Sequence, residues 1–232
     1  MHTNMFRASK IFVFEERLAE SPFIEKFWRT RSEPFASFIS VAVSHWEIVV
    51  TRHNDQIYLT VRGPETRATN SPIPENAEFF GIQFTPGTFM PSLPITQLVD
   101  ASLTLREASG QSFWLNGSAW EFPDYDNADS FVSKLVREGL LVRDPIVEAV
   151  LQGQPTHLCL RSVQRRVLRA TGLTQVAIRQ IERATKAVEL LEKGATILDT
   201  VEQTGYADQS HLNRSVKRFF GRTPVQIVRE RV

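Results

Sequence analysis

Cysteine and long apolar runs are scarce in this chain, and each scarcity argues against a class of protein. The 232 residues include one cysteine, Cys159, so an internal disulfide is excluded, and a reducing cytoplasm is the location that we expect. No apolar run approaches the roughly 18 residues of a membrane helix, so we expect no membrane partner. Residues 1–10 lack the apolar stretch and cleavage site of an export signal. There is no solenoid repeat and no low-complexity segment.

Charge is nearly balanced over the whole chain but is distributed unevenly. The formal net charge is +1. Residues 156–232 carry 14 Lys and Arg against 7 Asp and Glu, a net of +7, whereas residues 1–155 carry 13 against 19, a net of −6. This asymmetry indicates a basic module that meets a polyanion, carried on an acidic module with another task. A solvated basic helical surface would have the same charge, so charge alone leaves both interpretations open.

The first half of the chain is typical of β-structure. Short runs rich in Val, Ile, Phe and Tyr are separated by turn residues such as Asn54-Asp55. Asn116-Gly117 predicts a two-residue hairpin within residues 112–122, because both residues tolerate the positive φ of a type I′ turn. We expect a small barrel or a sandwich, and the pattern does not choose between them. The other expected strands are Phe35–Val43, Trp46–Arg52, Gln56–Arg62 and Glu78–Phe84.

After Pro123 the apolar spacing becomes helical. Residues 127–141 place apolar side chains on one helix face, and Asp144-Pro145 combines an N-cap with a proline at the first helical position. We therefore predict an α+β protein with a β domain at residues 1–126, a connecting helix at 127–143 and an all-α domain at 144–232. The helices expected in that last domain are Pro145–Leu151, Leu160–Thr171, Thr174–Lys193, a short helix that a capping box at Thr196–Asp199 opens and Gly205 ends, Gln209–Phe220 and a final helix from Thr223-Pro224.

Two pairs of these helices have the design of a helix-turn-helix. In one, a turn at residues 204–207 leads into the basic helix Gln209–Phe220, and in the other Pro145–Leu151 precedes the basic helix Leu160–Thr171. The joining helix of 20 residues would be roughly 30 Å long at 1.5 Å per residue, close to the roughly 34 Å between successive major grooves. An ordinary surface helix with a polar face is the alternative for either segment alone. The outer faces carry Arg161, Gln164, Arg165 and Arg169 on the first basic helix, and Ser210, Asn213, Arg214 and Lys217 on the second.

A family resemblance appears in the same segment. GYADQSHLNR at residues 205–214 and KRFFGRTP at 217–224 resemble the signature of AraC/XylS transcription regulators, and RSVQRR at 161–166 is similar to their first recognition helix. The resemblance implies a sequence-specific regulator whose two recognition helices enter adjacent major grooves of promoter DNA. RNA polymerase and a second copy of the chain are further partners that it allows. The base-facing positions that it implies are Arg161, Gln164, Arg165, Gln209, Ser210, Asn213 and Arg214, with Arg169, Lys217 and Arg218 as additional DNA contacts.

Three positions depart from the family pattern. Cys159 stands where Ser or Thr usually caps the first recognition helix, and Val167 replaces an aromatic residue within it. Val201 stands where a small Ala is common. We therefore expect a first unit that is less stable or reads bases more loosely, although no proposed DNA contact is lost.

The β half is similar to the cupin-like sensor domains of such regulators in Phe27-Trp28, Gly63-Pro64 and GIQFTPG at residues 81–87. This implies a domain that binds a small effector, makes the dimer contact, or both. A cupin-type enzyme or ligand-binding protein whose helical tail serves assembly is the alternative.

Enzyme chemistry is poorly supported by the residues. His45, Glu47 and His53 lack the two closely spaced histidines of a cupin metal site, and Cys159 has no His or acid placed to activate it. We therefore expect no enzyme, metal or cofactor. The four tryptophans, which would line either a pocket or the core, are Trp28, Trp46, Trp114 and Trp120.

Overall fold

The computed structural model describes residues 12–32 and 37–231. Within these ranges an antiparallel β domain precedes a helical domain, so the predicted α+β class is confirmed. The strands are β1 (Phe12–Leu18), β2 (Ile24–Ser32), β3 (Ser37–Ser40), β4 (Glu47–His53), β5 (Gln56–Arg62), β6 (Thr69–Pro72), β7 (Glu78–Phe84), β8 (Thr88–Phe89), β9 (Ser102–Thr104), β10 (Glu107–Ser109), β11 (Ser112–Leu115), β12 (Ser118–Glu121) and β13 (Val142–Arg143).

The largest sheet has six strands in the order β1-β2-β7-β4-β5-β9, and all of its neighbouring strands are antiparallel. Smaller sheets pair β10-β11-β12, β3-β6 and β8-β13. The pairings among the described residues thus give separate sheets, and none of them closes into a barrel.

The predicted hairpins form around turns with positive φ. Asn54 and Asp55, at φ 48° and 61°, join β4 to β5, and Asn116 and Gly117, at 49° and 81°, join β11 to β12. The strand expected at Phe35–Val43 is observed as the shorter β3, and Phe35 itself lies outside the described residues. Local turn chemistry therefore sets the register of both hairpins.

Two glycines of the cupin-like motifs are required by close packing. A Cβ on Gly81 would lie 2.0 Å from the Trp28 ring, which covers it from the neighbouring strand. A Cβ on Gly63 would lie 1.9 Å from the carbonyl oxygen of Leu98. Both motifs thus build the β domain rather than a loop that approaches a ligand.

The helix expected to connect the domains packs into the β core. Helix α1 (Ala128–Arg137) buries Phe131, Val132 and Leu135. The Phe131 ring meets the Phe113 ring at 6.4 Å and the Trp120 ring at 5.9 Å between centroids. The following residues form β13, which pairs with β8, and Asp144 then caps the next helix.

The helical domain agrees with the predicted spans to within about two residues, the usual uncertainty of helix ends. No helix in the described ranges is long and apolar enough to cross a membrane. The helices are α2 (Pro145–Leu151), α3 (Leu160–Thr171), α4 (Gln175–Glu192), α5 (Ile197–Thr204), α6 (Gln209–Phe220) and α7 (Pro224–Glu230).

The predicted capping box at Thr196–Asp199 is wrong in one of its two bonds. The Thr196 hydroxyl accepts from the Asp199 N–H at 3.1 Å, as expected. The Asp199 carboxylate, however, accepts from the Thr196 hydroxyl at 2.7 Å, because aspartate is one methylene shorter than the glutamate that reaches back to the N-cap backbone. A complete capping box forms instead at the start of α7, between Thr223 and Gln226.

Candidate nucleic-acid interface

The first helix-turn-helix unit consists of α2 and α3. Val147 and Val150 of α2 are buried together with Val163 and Val167 of α3. An ion pair holds the two helices at one end, because the Arg166 guanidinium donates at 2.6 Å to Asp144, which also caps α2. The departure at Val167 therefore leaves a filled core.

The outer face of α3 presents free polar groups. Arg161, Gln164 and Arg165 are exposed, and none of them forms an ion pair or side-chain hydrogen bond within the described ranges. An unpaired guanidinium retains all of its donors for a base edge or a phosphate. The three residues that the resemblance places on bases are thus accessible.

The second unit consists of α5 and α6, and Tyr206 fixes the turn between them. Its ring is buried and its hydroxyl lies 2.8 Å from the Ser215 hydroxyl. The His211 ring meets it edge-on at 5.0 Å, and the Arg183 guanidinium of α4 lies 4.3 Å from its centroid. Tyr206 therefore anchors the turn, and the contact with Arg183 ties the second unit to the joining helix.

Helix α6 exposes most of the predicted DNA contacts. Asp208 caps the helix by accepting from the His211 N–H at 2.7 Å. Asn213 differs from the others, because it is half-buried and its Oδ1 is buried without a hydrogen-bond partner. A bidentate contact with adenine needs that oxygen as an acceptor, so Asn213 must turn outward to make one. The exposed positions are Gln209, Ser210, Arg214, Lys217 and Arg218.

Arg169 and Arg218 lie near the C-terminal ends of their helices, one turn beyond Arg165 and Arg214. The Arg169 guanidinium lies 4.8 Å from the Phe89 ring of the β domain, and the Arg218 guanidinium lies 5.1 Å from the Phe219 ring. Both side chains are exposed. Arg169 is therefore drawn toward the β domain in this arrangement.

The β domain contacts the C-terminal ends of both recognition helices. At α6, the Ala42 N–H donates to the Phe219 carbonyl at 2.7 Å and the Ala68 N–H donates to the Arg218 carbonyl at 2.8 Å. At α3, the left-handed Gly172 lies so close to Ile95 that a Cβ would be 3.0 Å from its carbonyl oxygen. The sequence contains no signal for these contacts, because they join backbone groups that are far apart in the chain.

Cys159 begins α3 without a side-chain cap. Its sulfur lies 3.3 Å from the Ser162 hydroxyl, and that hydrogen bond lowers the pKa of the exposed thiol. The other helices of this domain each have a side-chain oxygen that accepts from their first turn. The departure at Cys159 therefore leaves α3 uncapped at the end that carries Arg161.

Two cavities in the described part of the chain border the β domain. One, of about 460 Å³, lies within the domain and is lined by residues that include Trp28, Tyr58 and Phe79. The other, of about 560 Å³, lies between the β domain and α4 and is lined in part by Trp28 and Trp46. Trp120 is buried in the core and Trp114 is 45% exposed, so the tryptophans divide between pocket, core and surface.

A partly buried network of charged residues lines both cavities, and it was not predicted from the sequence. The Arg62 guanidinium contacts Glu65 at 3.0 Å and Glu47 at 3.4 Å, and the Trp28 Nε1–H donates to Glu47 at 3.0 Å. Burial raises the pKa of Glu47, although Arg62 and Trp28 oppose the shift. Arg62, Glu65 and Trp28 line both cavities.

The oxygens of Glu47 are thus engaged by protein donors rather than directed at a metal. In the ranges that the structure describes, no three His, Cys, Asp or Glu side chains are grouped so that they could hold a metal ion.

Residues 155–230 match a family model described as a helix-turn-helix domain. No curated protein matches the chain with significance. Among solved structures, ToxT from Vibrio cholerae is similar at 12% identity and a TM-score of 0.41, covering 95% of this chain and 99% of that one. ToxT bound to (E)-4-(8-methylnaphthalen-1-yl)but-3-enoic acid is similar at 11% identity and a TM-score of 0.41, covering 96% of this chain and 100% of that one. These structural similarities are too distant to carry an argument, and the domain match covers only the last third of the chain.

Proposed function

We propose that this chain is a DNA-binding transcription regulator that reads promoter DNA with α3 and α6 in adjacent major grooves. The helix-turn-helix domain matched at residues 155–230 supports this proposal. One observation carries the proposal. Helices α3 and α6 each expose polar side chains that are not paired within the described ranges, and the rigid helix α4 joins them. The 18 residues of α4 span about 27 Å, and the stripe Ile178, Ile181, Ala184, Val188 and Leu191 is buried along it.

Charge and side-chain type support a division of roles on the reading faces. Arg161 and Arg165 on α3 and Arg214 on α6 are exposed and suited to guanine, which arginine contacts with two hydrogen bonds. Lys217 and Arg218 lie nearer the end of α6 and are suited to phosphates, which fix register without reading sequence. Gln164, Gln209, Ser210 and Asn213 would supply the remaining base contacts.

We propose that the β domain regulates this activity by binding a small effector. Its two cavities support the proposal, since pockets of about 300–1,000 Å³ are typical of small-molecule sites. The contacts of the β domain with both recognition helices provide a physical route by which a ligand would alter DNA affinity. We also propose a regulator rather than an enzyme, acting in the bacterial cytoplasm, with RNA polymerase and a second copy of the chain as partners.

Selection of bound sequences from a random duplex library tests the DNA-reading part of the proposal. The expected result is an enriched site with two half-sites about 10–10.5 base pairs apart, bound typically 10³-fold or more above random duplex at physiological salt. Enrichment of a single half-site would show that only one unit reads DNA. No enrichment at all would favour the alternative in which the helical domain serves assembly.

A further inference from the structure

The two recognition helices correspond to each other residue by residue. Both α3 and α6 have 12 residues, follow an N-cap in the extended conformation and end at a left-handed glycine, Gly172 or Gly221. Each helix buries its fourth, eighth, eleventh and twelfth residues. Position 160 of α3 therefore corresponds to position 209 of α6, and the two reading faces can be compared residue by residue.

The first residues of the two helices differ in kind. Helix α6 begins with the polar Gln209, whereas α3 begins with Leu160, which is 68% exposed. Residues four apart line up in a ridge along a helix. The ridge that starts at Gln209 is polar throughout, whereas the ridge that starts at Leu160 is apolar at both ends. The two ridges are Gln209-Asn213-Lys217 and Leu160-Gln164-Leu168.

Leu160 is surrounded by positive charge. Helix α3 contains four arginines and no acidic residue, and the exposed Arg161 and Arg165 form no ion pair in the part of the chain that the structure describes. An isolated exposed leucine is ordinary, but Leu160 lies at the N-terminal end of a recognition helix, which is the part that reaches base edges. A surface that complements this end of α3 therefore combines negative charge with an apolar group.

The major groove of DNA provides that combination. Phosphates border the groove, and the 5-methyl group of thymine is an apolar group exposed within it. We propose that Leu160 contacts a thymine 5-methyl group, so that the half-site bound by α3 requires thymine at one position. Gln209, at the corresponding place on α6, selects a base by hydrogen bonds instead. This inference rests on the proposed function and specifies part of its sequence preference.

Deoxyuridine tests the contact, because it differs from thymidine by the 5-methyl group alone. The duplex that the full chain selects from a random library is resynthesised with each thymine replaced in turn. Arg214→Ala identifies the α6 half-site by the base pairs at which it relaxes preference, and the other half-site belongs to α3. One replacement in the α3 half-site should weaken binding about three- to five-fold, the loss expected when one methyl group is no longer buried.

Leu160→Ala should weaken binding to the thymine duplex by a similar factor and should abolish the effect of deoxyuridine at that position, which a double-mutant cycle of protein and duplex measures. Because Leu160 is a surface residue, the variant should fold normally, and its melting temperature checks this. Leu168→Ala is the matched control. It removes the same side chain, 42% exposed, about 12 Å further along α3, at the end that contacts the β domain, and it should retain the full deoxyuridine effect.

An α3 half-site without thymine would overturn the inference, and so would an equal loss from deoxyuridine in the wild type and in Leu160→Ala. A deoxyuridine effect that Leu168→Ala abolishes and Leu160→Ala retains would also overturn it. Each of these results, obtained with an enriched site of two half-sites, refutes the inference and leaves the proposed function standing. The absence of any enriched site would refute the proposed function, and the inference with it.

Discussion

Replacing Cys159 with serine should stabilise the first recognition helix, because α3 lacks the side-chain cap that its neighbours have. The backbone of Cys159 already has the extended N-cap conformation, at φ −65° and ψ 152°. A serine Oγ placed there can accept from the first turn of α3, where the Cys159 sulfur makes no such bond. The side chain is exposed, so the substitution changes little apolar burial.

The expected gain in the free energy of unfolding follows from the usual contribution of an N-cap residue. A gain of about 0.5–1 kcal/mol is expected, at the lower part of the range for caps. For a chain of this size, 1 kcal/mol shifts the melting temperature by about 2–4 °C, so Cys159→Ser should melt about 1–4 °C higher. Arg161 lies in the first turn of α3, and ordering that turn should tighten binding to the first half-site by up to about five-fold.

Thermal denaturation followed by circular dichroism measures the first effect, and titration with duplexes that carry one half-site measures the second. Cys159→Ala is the matched variant, because it removes the sulfur without adding an acceptor, and it should not raise the melting temperature. Thr196→Ala removes an existing cap on α5 and should cost about 1 kcal/mol. Equal melting temperatures for the serine and alanine variants at position 159 would refute the capping argument.

Three further outcomes are expected. Arg214→Ala should cost about 1–3 kcal/mol of binding free energy on the preferred duplex and relax the preference at one or two base pairs. The control Arg137→Ala on α1 should leave DNA binding unchanged. An equal loss of affinity on every sequence would make Arg214 a phosphate contact. Two alanines inserted after Arg183 turn the following unit by about 200° and should abolish two-groove binding. Four inserted alanines turn it by about 400° and should select a longer half-site spacing. Unchanged spacing in both folded variants would exclude a rigid bridge. Residues 144–232, if folded alone, should bind duplex at low salt with a log–log slope of about −0.9 per neutralised phosphate; a folded fragment that binds none would contradict the domain assignment.

The helical domain was predictable because its helix ends are encoded locally. Asp144, Thr174, Asp208 and Thr223 cap the helices that follow them, and Gly172 ends α3 in the left-handed conformation. Such signals act within a few residues, so no tertiary contact is needed to interpret them.

Strands β1 and β2 were not predicted, because their charged residues obscure the alternation of apolar and polar side chains. Trp28, Thr30 and Ser32 are buried while Arg29 and Arg31 face outward, but the buried set is partly polar. Glu15 lies directly opposite Arg29 and forms an ion pair with it at 2.6 Å. Cross-strand pairing thus accommodates residues that a hydrophobic pattern would assign to a loop.

The pairing of Glu47 with Arg62, in contrast, could be predicted from the sequence. The two residues are equally distant from the Asn54-Asp55 turn, and a two-residue hairpin sets such residues opposite each other. The observed register of β4 and β5 pairs them. Glu65 joins the network from beyond the end of β5, and its place depends on the chain path after Gly63, which local patterns do not specify.

Both α4 and the β domain hold the two recognition helices at their spacing, and this determines how regulation would work. Helix α4 connects the units along the chain, while the β domain holds the Phe219 carbonyl of α6 through Ala42 and meets Gly172 at the end of α3. A change in the β domain can therefore move both reading faces without any change in α4. The interdomain cavity lies between these supports, lined by Ala42, Thr171 and the α4 face around Ile181. A ligand there would act on the distance and phase of the two units, so its expected effect is on half-site spacing as well as on affinity.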